Sequence, residues 1–132
     1  PDRGSLLHDI ETKTLFAYRE EGNILGIVVL NESQDEEYGE LNWSTSDDDK
    51  NIVVHRLAVR PDHQGKGLAR KIMDFAEQWA KENKYDAIRL DTFSQNPRNQ
   101  KFYTNRGYND LGAVYLKYKK DHPYYCYEML LS

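Results

Sequence analysis

Between Arg60 and Ala69 an apolar run gives way to Arg60-Pro61-Asp62-His63-Gln64-Gly65-Lys66-Gly67-Leu68-Ala69, a glycine-rich loop that opens directly into an amphipathic stretch. That arrangement suits an anion. Gly65 and Gly67 carry no Cβ, so a phosphate group can approach the backbone, and the free N–H groups at a helix start present the favourable end of the dipole. Three further side chains could do chemistry. Tyr103 offers a phenol that can donate a hydrogen bond, and Asp91 and His55 offer a carboxylate and an imidazole that can take a proton. His8, His55, His63 and His122 are scattered without metal-ligand spacing, so no metal is expected. Cys126 lies in the strand-like run YYCYEML with no predicted basic partner, and reads as a buried structural thiol rather than a nucleophile.

The elements that must position these groups follow from the hydrophobic pattern. Thr14 to Arg19 and Ile24 to Leu30 flank the turn signal Glu21-Gly22-Asn23 and read as a β-hairpin. Residues 31 to 50, with acidic runs at 35 to 40 and 47 to 49, read as a long surface connection. Ile52 to Val59 is the next strand. From Lys66 to about Lys81, Leu68, Ile72, Phe75, Ala76 and Trp79 recur at helical spacing. Ala87 to Thr92 alternates as a strand, with Asp91 on it. Asn96-Pro97 supplies an N-cap and a first-turn proline, and Asn105-Arg106-Gly107 supplies a glycine stop, giving a short helix that carries Tyr103. Val114 to Tyr118 and Tyr124 to Leu131 read as two closing strands around Asp121-His122-Pro123. The order β-β-β-α-β-α-β-β, with a helical crossover from the loop-bearing strand to the next, predicts a mixed α/β sheet whose central pair is parallel.

Composition narrows the class. The chain has 132 residues, enough for one domain with its own core. At 39% hydrophobic and 30% charged residues it reads as globular, without an apolar run long enough to cross a bilayer, so no membrane partner is expected. A net charge of -4 argues against a general nucleic-acid binder. One cysteine and no visible leader make the cytoplasm the expected compartment.

Two motifs in order carry a resemblance. The loop Gln64-Gly65-Lys66-Gly67-Leu68-Ala69 resembles the coenzyme A loop (Gln/Arg-x-x-Gly-x-Gly/Ala) of the GCN5-related N-acetyltransferase (GNAT) family. The later segment IRLDTFSQNPRNQKFYTNRGY resembles that family's following strand and helix, with Asn96, Tyr103, Gly107 and Tyr108 at its matching positions. The resemblance runs from about Ile52 to Tyr108. It implies a mixed, mostly antiparallel sheet with a splayed central parallel pair and helices on both faces. It implies acetyl-coenzyme A as cosubstrate and a small-molecule or peptide amine as acceptor, in a monomer or homodimer. The donor would meet Leu57, Ala58 and Val59 through their backbones, the loop from Gln64 to Ala69, Asn96, and Tyr103 at the sulfur. Asp91 is where some members place a catalytic carboxylate.

Each role has a structural alternative. Tyr103 could be a core aromatic. Asp91 could pair with Arg56 or Arg89. His55 could face the core with Leu57 and Val59, since strict alternation puts those three on one side. Trp43 could line an acceptor pocket or anchor the acidic connection. As a whole the chain could bind coenzyme A as a sensor or regulatory module without turning it over. Family members begin with a strand and one or two helices before the hairpin, so residues 1–132 are expected to form a single domain lacking the first strand and helix. Pro1 to Ile10, with Leu6, Leu7 and Ile10 at helical spacing, would be the tail of the second helix. The family's usual alanine in the second motif is Asn99 here.

Overall fold

The structure, a computed structural model, describes residues 10, 11, 13–117 and 119–131, without the side chains of 119 and 120. Ile10 and Glu11 are helical, whereas Leu6, Leu7 and the rest of the expected N-terminal helix lie outside the described residues. Six strands are hydrogen-bonded in the order β1-β2-β3-β4-β6-β5. They are β1 (Leu15–Glu20), β2 (Asn23–Asn31), β3 (Asn51–Val59), β4 (Ala87–Phe93), β5 (Asn109–Leu116) and β6 (Lys119–Leu130), with helices α1 (Leu68–Glu82) and α2 (Pro97–Asn105). Pairing is antiparallel for β1–β2, β4–β6 and β5–β6 and parallel for β3–β4, which makes the sheet mixed and mostly antiparallel as the sequence predicts. The chain forms two compact units, residues 1–31 with 54–83 and residues 32–53 with 84–132.

In the first unit, β1 and β2 are joined by Glu21 and Gly22, both left-handed at φ 51° and 81°. That is the backbone of a two-residue hairpin whose twist matches the strands it joins. Helix α1 packs on β2 at Gly26, where a Cβ would stand 2.6 Å from Ile72 Cδ1 and 3.0 Å from the Ala58 carbonyl oxygen. Its buried stripe is Leu68, Ile72, Met73, Ala76 and Ala80. Each large apolar side chain sealed there contributes about 1.5–3 kcal/mol. Phe75, expected in that stripe, is instead 43% exposed. It packs at a tilt on Phe16, which also meets Trp79 edgewise, with ring centroids 5.2 and 5.5 Å apart. The helix therefore turns Met73 inward in its place.

In the second unit β4 and β6 pair along their length, so that Arg89 faces Glu128, Asp91 faces Cys126 and Phe93 faces Tyr124. The parallel pairing of β3 with β4 covers Asn51 to Val53, although both strands run further. Residues 31–50 are largely irregular but not loose. A 3-10 turn at Glu36–Glu40 drops Tyr38 into a core of Val53, Val114, Leu116 and Cys126, flanked by Leu41, Trp43 and Tyr124. Strand β6 begins at Lys119 and runs through Pro123. The turn expected at 121–123 is thus not there. Pro123 lies where the β5–β6 register shifts between Val114 and Leu116, a bulge at which a missing N–H does no harm, and its carbonyl accepts from Ser94 N at 3.1 Å.

Candidate functional site

After β3 a short 3-10 turn, Pro61–His63, leads to Gln64 in extended backbone. Asp62 steadies that turn, meeting Arg60 at 3.0 Å and His63 at 3.1 Å, and its carboxyl is lowered first by the His63 bond. Gly65 and Gly67 then adopt φ 81° and 79°, while Lys66 between them does not enter the left-handed region. Alternation of this kind turns successive N–H groups to one side. Gly67 is also the N-cap of α1 and supplies no side-chain acceptor, so the helix start keeps its donors uncapped by a side chain. A Cβ at Gly65 would meet nothing within 4 Å, and one at Gly67 only an Arg70 guanidinium nitrogen at 3.9 Å. The glycines are therefore required by backbone conformation, not by internal packing. Gln64, Gly65, Lys66 and Gly67 are exposed; Leu68 is buried in the core and Ala69 is half-buried, so these two can offer a ligand backbone only.

On β3 the strict alternation expected for His55, Leu57 and Val59 fails. Arg56 is left-handed at φ 52°, and His55, Arg56 and Leu57 are all half-buried. A non-glycine residue in that conformation costs about 1–2 kcal/mol and interrupts the regular alternation of the strand. His55 is consequently not placed in the core by its spacing from Leu57. Ala58 is exposed, and the Gln64 amide reaches back to the Val59 carbonyl at 3.4 Å, tying loop to strand.

In the second unit the Asn96 side chain caps α2, accepting from Asn99 N at 3.1 Å with Pro97 in the first turn, as its sequence position predicts. Asn99 itself is exposed. The helix presents Tyr103, which is 5% exposed and packs against Phe102, Tyr108 and Tyr127 with centroids 5.1, 5.6 and 6.2 Å away. Burial raises the Tyr103 phenol far above its ordinary value. Its hydroxyl makes no hydrogen bond among the described residues.

Among the described residues Asp91 does not pair with Arg89. It accepts a hydrogen bond from the Tyr38 hydroxyl at 2.6 Å, and burial raises its carboxyl above the usual range. Arg89 is 1% exposed and committed elsewhere, to Glu128 at 3.2 Å, Gln34 at 3.0 Å and Thr45 at 2.8 and 2.9 Å, with Trp43 stacked on its guanidinium at 4.3 Å. Glu128 also accepts from Ser44 N and Thr45 Oγ1. Trp43 thus anchors the acidic connection, its Nε1 donating to the Tyr38 carbonyl at 2.7 Å. It also lines a cavity of about 710 Å³ with Tyr38 and the carboxylates of Glu32, Asp35, Glu36, Asp47 and Asp49. Cys126 is fully buried, and burial followed by Asp91 pushes its thiol up to about 12. Among the described residues no group of three or more His, Cys, Asp or Glu could hold a metal, and no helix is long and apolar enough to cross a membrane. Sequence reasoning missed Tyr38 and the Arg89–Glu128 network, because their partners lie 53 and 39 residues away.

A parallel β3–β4 pair within a mostly antiparallel sheet, and a glycine junction feeding α1, define a mixed α/β fold. More specifically, residues 2–108 match the acetyltransferase (GNAT) family model, and the chain belongs to that family. It is 27% identical over 115 residues to the uncharacterised N-acetyltransferase YesJ of Bacillus subtilis (strain 168), covering 84% of this chain and 63% of that protein's length. Its fold is similar to a GNAT-family acetyltransferase from Streptococcus agalactiae 2603, with a TM-score of 0.81, 22% identity and coverage of 100% of this chain and 73% of the other. It is similar also to a GNAT-family acetyltransferase from Elizabethkingia anophelis with acetyl-CoA bound, with a TM-score of 0.71, 13% identity, and 99% and 84% covered.

Proposed function

We propose that the protein is an N-acetyltransferase that moves an acetyl group from acetyl-coenzyme A to a primary amine by direct attack in a ternary complex. Family membership and the acetyl-CoA-bound relative support the donor. The observation that carries the reading is the Tyr103 hydroxyl, carried on a buried ring and without a partner among the described residues, on the family motif that places a hydroxyl beside the coenzyme sulfur.

In this reading the backbone N–H groups from Gly65 to Ala69 hold the donor's pyrophosphate, helped by the open space at both glycines. Backbone groups of Leu57, Ala58 and Val59 pair with the pantetheine amides as an added strand would, and an N–H at Leu57 or Ala58 receives the developing oxyanion. Asn96 contributes by capping the helix that carries Tyr103.

The neutral amine nitrogen attacks the thioester carbonyl carbon, the C–S bond breaks with its electron pair leaving on sulfur as thiolate, and the second N–H proton, lost as the amide forms, ends on that thiolate to give the coenzyme thiol. Tyr103 stabilises that thiolate by hydrogen bonding rather than by surrendering its proton. A phenol near 10 against a thiol near 8.5 already makes full transfer uphill by about 2 kcal/mol, and burial moves Tyr103 further that way. The incoming amine must first lose a proton. For a lysine-type amine near 10.4 that costs about 4 kcal/mol at neutral pH, and for an α-amino group near 8 under about 1 kcal/mol. Asp91, with burial raising its proton affinity, is the better base, and His55 the reserve. The carboxylates around the second unit's cavity favour a cationic over an anionic acceptor.

Thiol release from acetyl-coenzyme A with a panel of primary amines tests the proposal. Tyr103→Phe is expected to lower kcat by at least about tenfold while leaving acetyl-coenzyme A affinity by calorimetry within about twofold. Equal turnover would remove the role of Tyr103. Tight binding with no turnover on any amine would make the protein a coenzyme A-binding module instead.

A further inference from the structure

We propose that Tyr38 is a positioning residue for the transfer reaction: its hydroxyl fixes one carboxylate oxygen of Asp91 and leaves the other to take the proton of the incoming amine. The inference rests on the reading of Asp91 as the base.

The geometry is specific. The hydroxyl donates to Asp91 Oδ2 at 2.6 Å, the length of a charge-assisted O–H···O⁻ bond. Tyr38 is itself immobilised: it is 2% exposed, its ring lies 5.0 Å from that of Trp43, and its carbonyl accepts from Trp43 Nε1 at 2.7 Å. Asp91 is only half-buried, and among the described residues it makes no other hydrogen bond or ion pair. One oxygen is thus pinned and the other is unclaimed.

The groups that act on this carboxylate, or are acted on by it, are Asp35 and Tyr38 from the 3-10 turn, Cys126 and Tyr124 from β6, and Tyr103 from α2. None is a cation. Burial and the neighbouring carboxylate keep the Tyr38 phenol protonated well past neutrality, so it stays a donor. Burial, and to a lesser degree Asp35, raise the proton affinity of Asp91, while the Tyr38 bond alone restrains it. In the step itself the ammonium N–H bond breaks and an O–H bond forms at Asp91 Oδ1. The freed nitrogen lone pair then attacks the carbonyl carbon, the C–S bond breaks, the second N–H proton passes to the departing thiolate as the amide forms, and Asp91 returns the first proton to solvent after product leaves.

Tyr38→Phe deletes the donor and keeps the ring. Two readouts are expected to move together: the Asp91 13Cγ titration midpoint rises, and the acidic limb of the kcat/KM profile, measured with acetyl-coenzyme A and the best amine of the panel, shifts to higher pH by the same amount. Turnover falls about tenfold, as for loss of one such bond, with acetyl-coenzyme A affinity unchanged. Site-specific 3-fluorotyrosine at position 38 is a stronger donor of nearly the same size, and is expected to lower the midpoint, so the inference survives a poorly folding Phe variant. An Asp91 midpoint unmoved by either substitution overturns it. A midpoint that moves while the rate profile stays still overturns the catalytic role. Full turnover by Asp91→Asn, whatever Tyr38 does, sinks the reading of Asp91 as base.

Discussion

Gly67→Ala separates what the loop needs for folding from what it needs for a ligand, and Gly22→Ala is its internal control. Both glycines are left-handed, at φ 79° and 81°. Neither is packed: a Cβ at Gly22 would meet nothing within 4 Å, and one at Gly67 only the mobile end of Arg70 at 3.9 Å. The folding penalty of each alanine is therefore backbone strain alone, about 1–2 kcal/mol. That is a tolerable part of a typical stability of about 5–15 kcal/mol. The two variants should show similar losses in a urea melt. They should differ in binding. At Gly67 the new methyl group enters the space in front of the N–H groups opening α1, where the proposal puts the pyrophosphate, so acetyl-coenzyme A affinity should fall by more than about tenfold, or about 1.4 kcal/mol. Gly22, in the β1–β2 turn, should lose none. Calorimetric titration of acetyl-coenzyme A into both folded variants makes the comparison. Wild-type affinity in Gly67→Ala, or an equal loss in Gly22→Ala, would refute the assignment of the loop.

Arg89→Met should destabilise the protein by about 3–5 kcal/mol in urea, because it leaves Glu128 charged and buried, whereas Arg89→Met with Glu128→Leu should recover most of that loss. If the double variant is as unstable as the sum of its parts, the pair is not coupled as its geometry implies. Cys126 is expected to resist alkylation in the native protein: with its thiol pushed up to about 12, at pH 8.5 it should react at least about a thousandfold more slowly than in the unfolded chain, so rapid labelling without unfolding contradicts its burial.

The features legible in the sequence are those that single residues impose on their own backbone. Gly22, Gly65 and Gly67 announce left-handed turns, Asn96-Pro97 announces a helix start, and each is where its residue type puts it. Helix α1 was legible from its period, though its stripe is rotated enough to bring in Met73 and Ala80 and to leave Phe75 half out. What periodicity cannot carry is a contact between distant segments. Residues 31–50 have no repeat to read, yet they fold because Arg89 and Glu128 reach Gln34, Ser44 and Thr45. Pro123 misleads for the opposite reason: its local signal is a turn, and the bulge that accommodates it inside β6 exists only because β5 lies alongside. Arg56 gives no warning of its left-handed backbone at all, since nothing about arginine favours it.

Among the described residues Asp91 has no countercharge, even though an arginine stands two residues away on the same strand and, by the pleat, on the same face. The reason is geometric. A guanidinium has five N–H donors in a fixed fork, and at Arg89 four of them are engaged, the Nε by Glu128, one of Nη1 by Gln34, and both of Nη2 by the carbonyl and hydroxyl of Thr45, which holds the plane of the fork in place. Glu128 is directly opposite Arg89 across β4–β6, whereas Asp91 is opposite Cys126, which brings no charge to compete for it. The same connection that satisfies Arg89 through Gln34 and Thr45 also delivers Tyr38 to Asp91. One face of one strand therefore carries a neutralised pair that fixes the connection and an acid restrained only by a phenol. Had Arg89 been free to turn toward Asp91, the carboxyl would be held ionised and too weak to take a proton from an amine. The buried pair thus serves the acid by withholding its arginine.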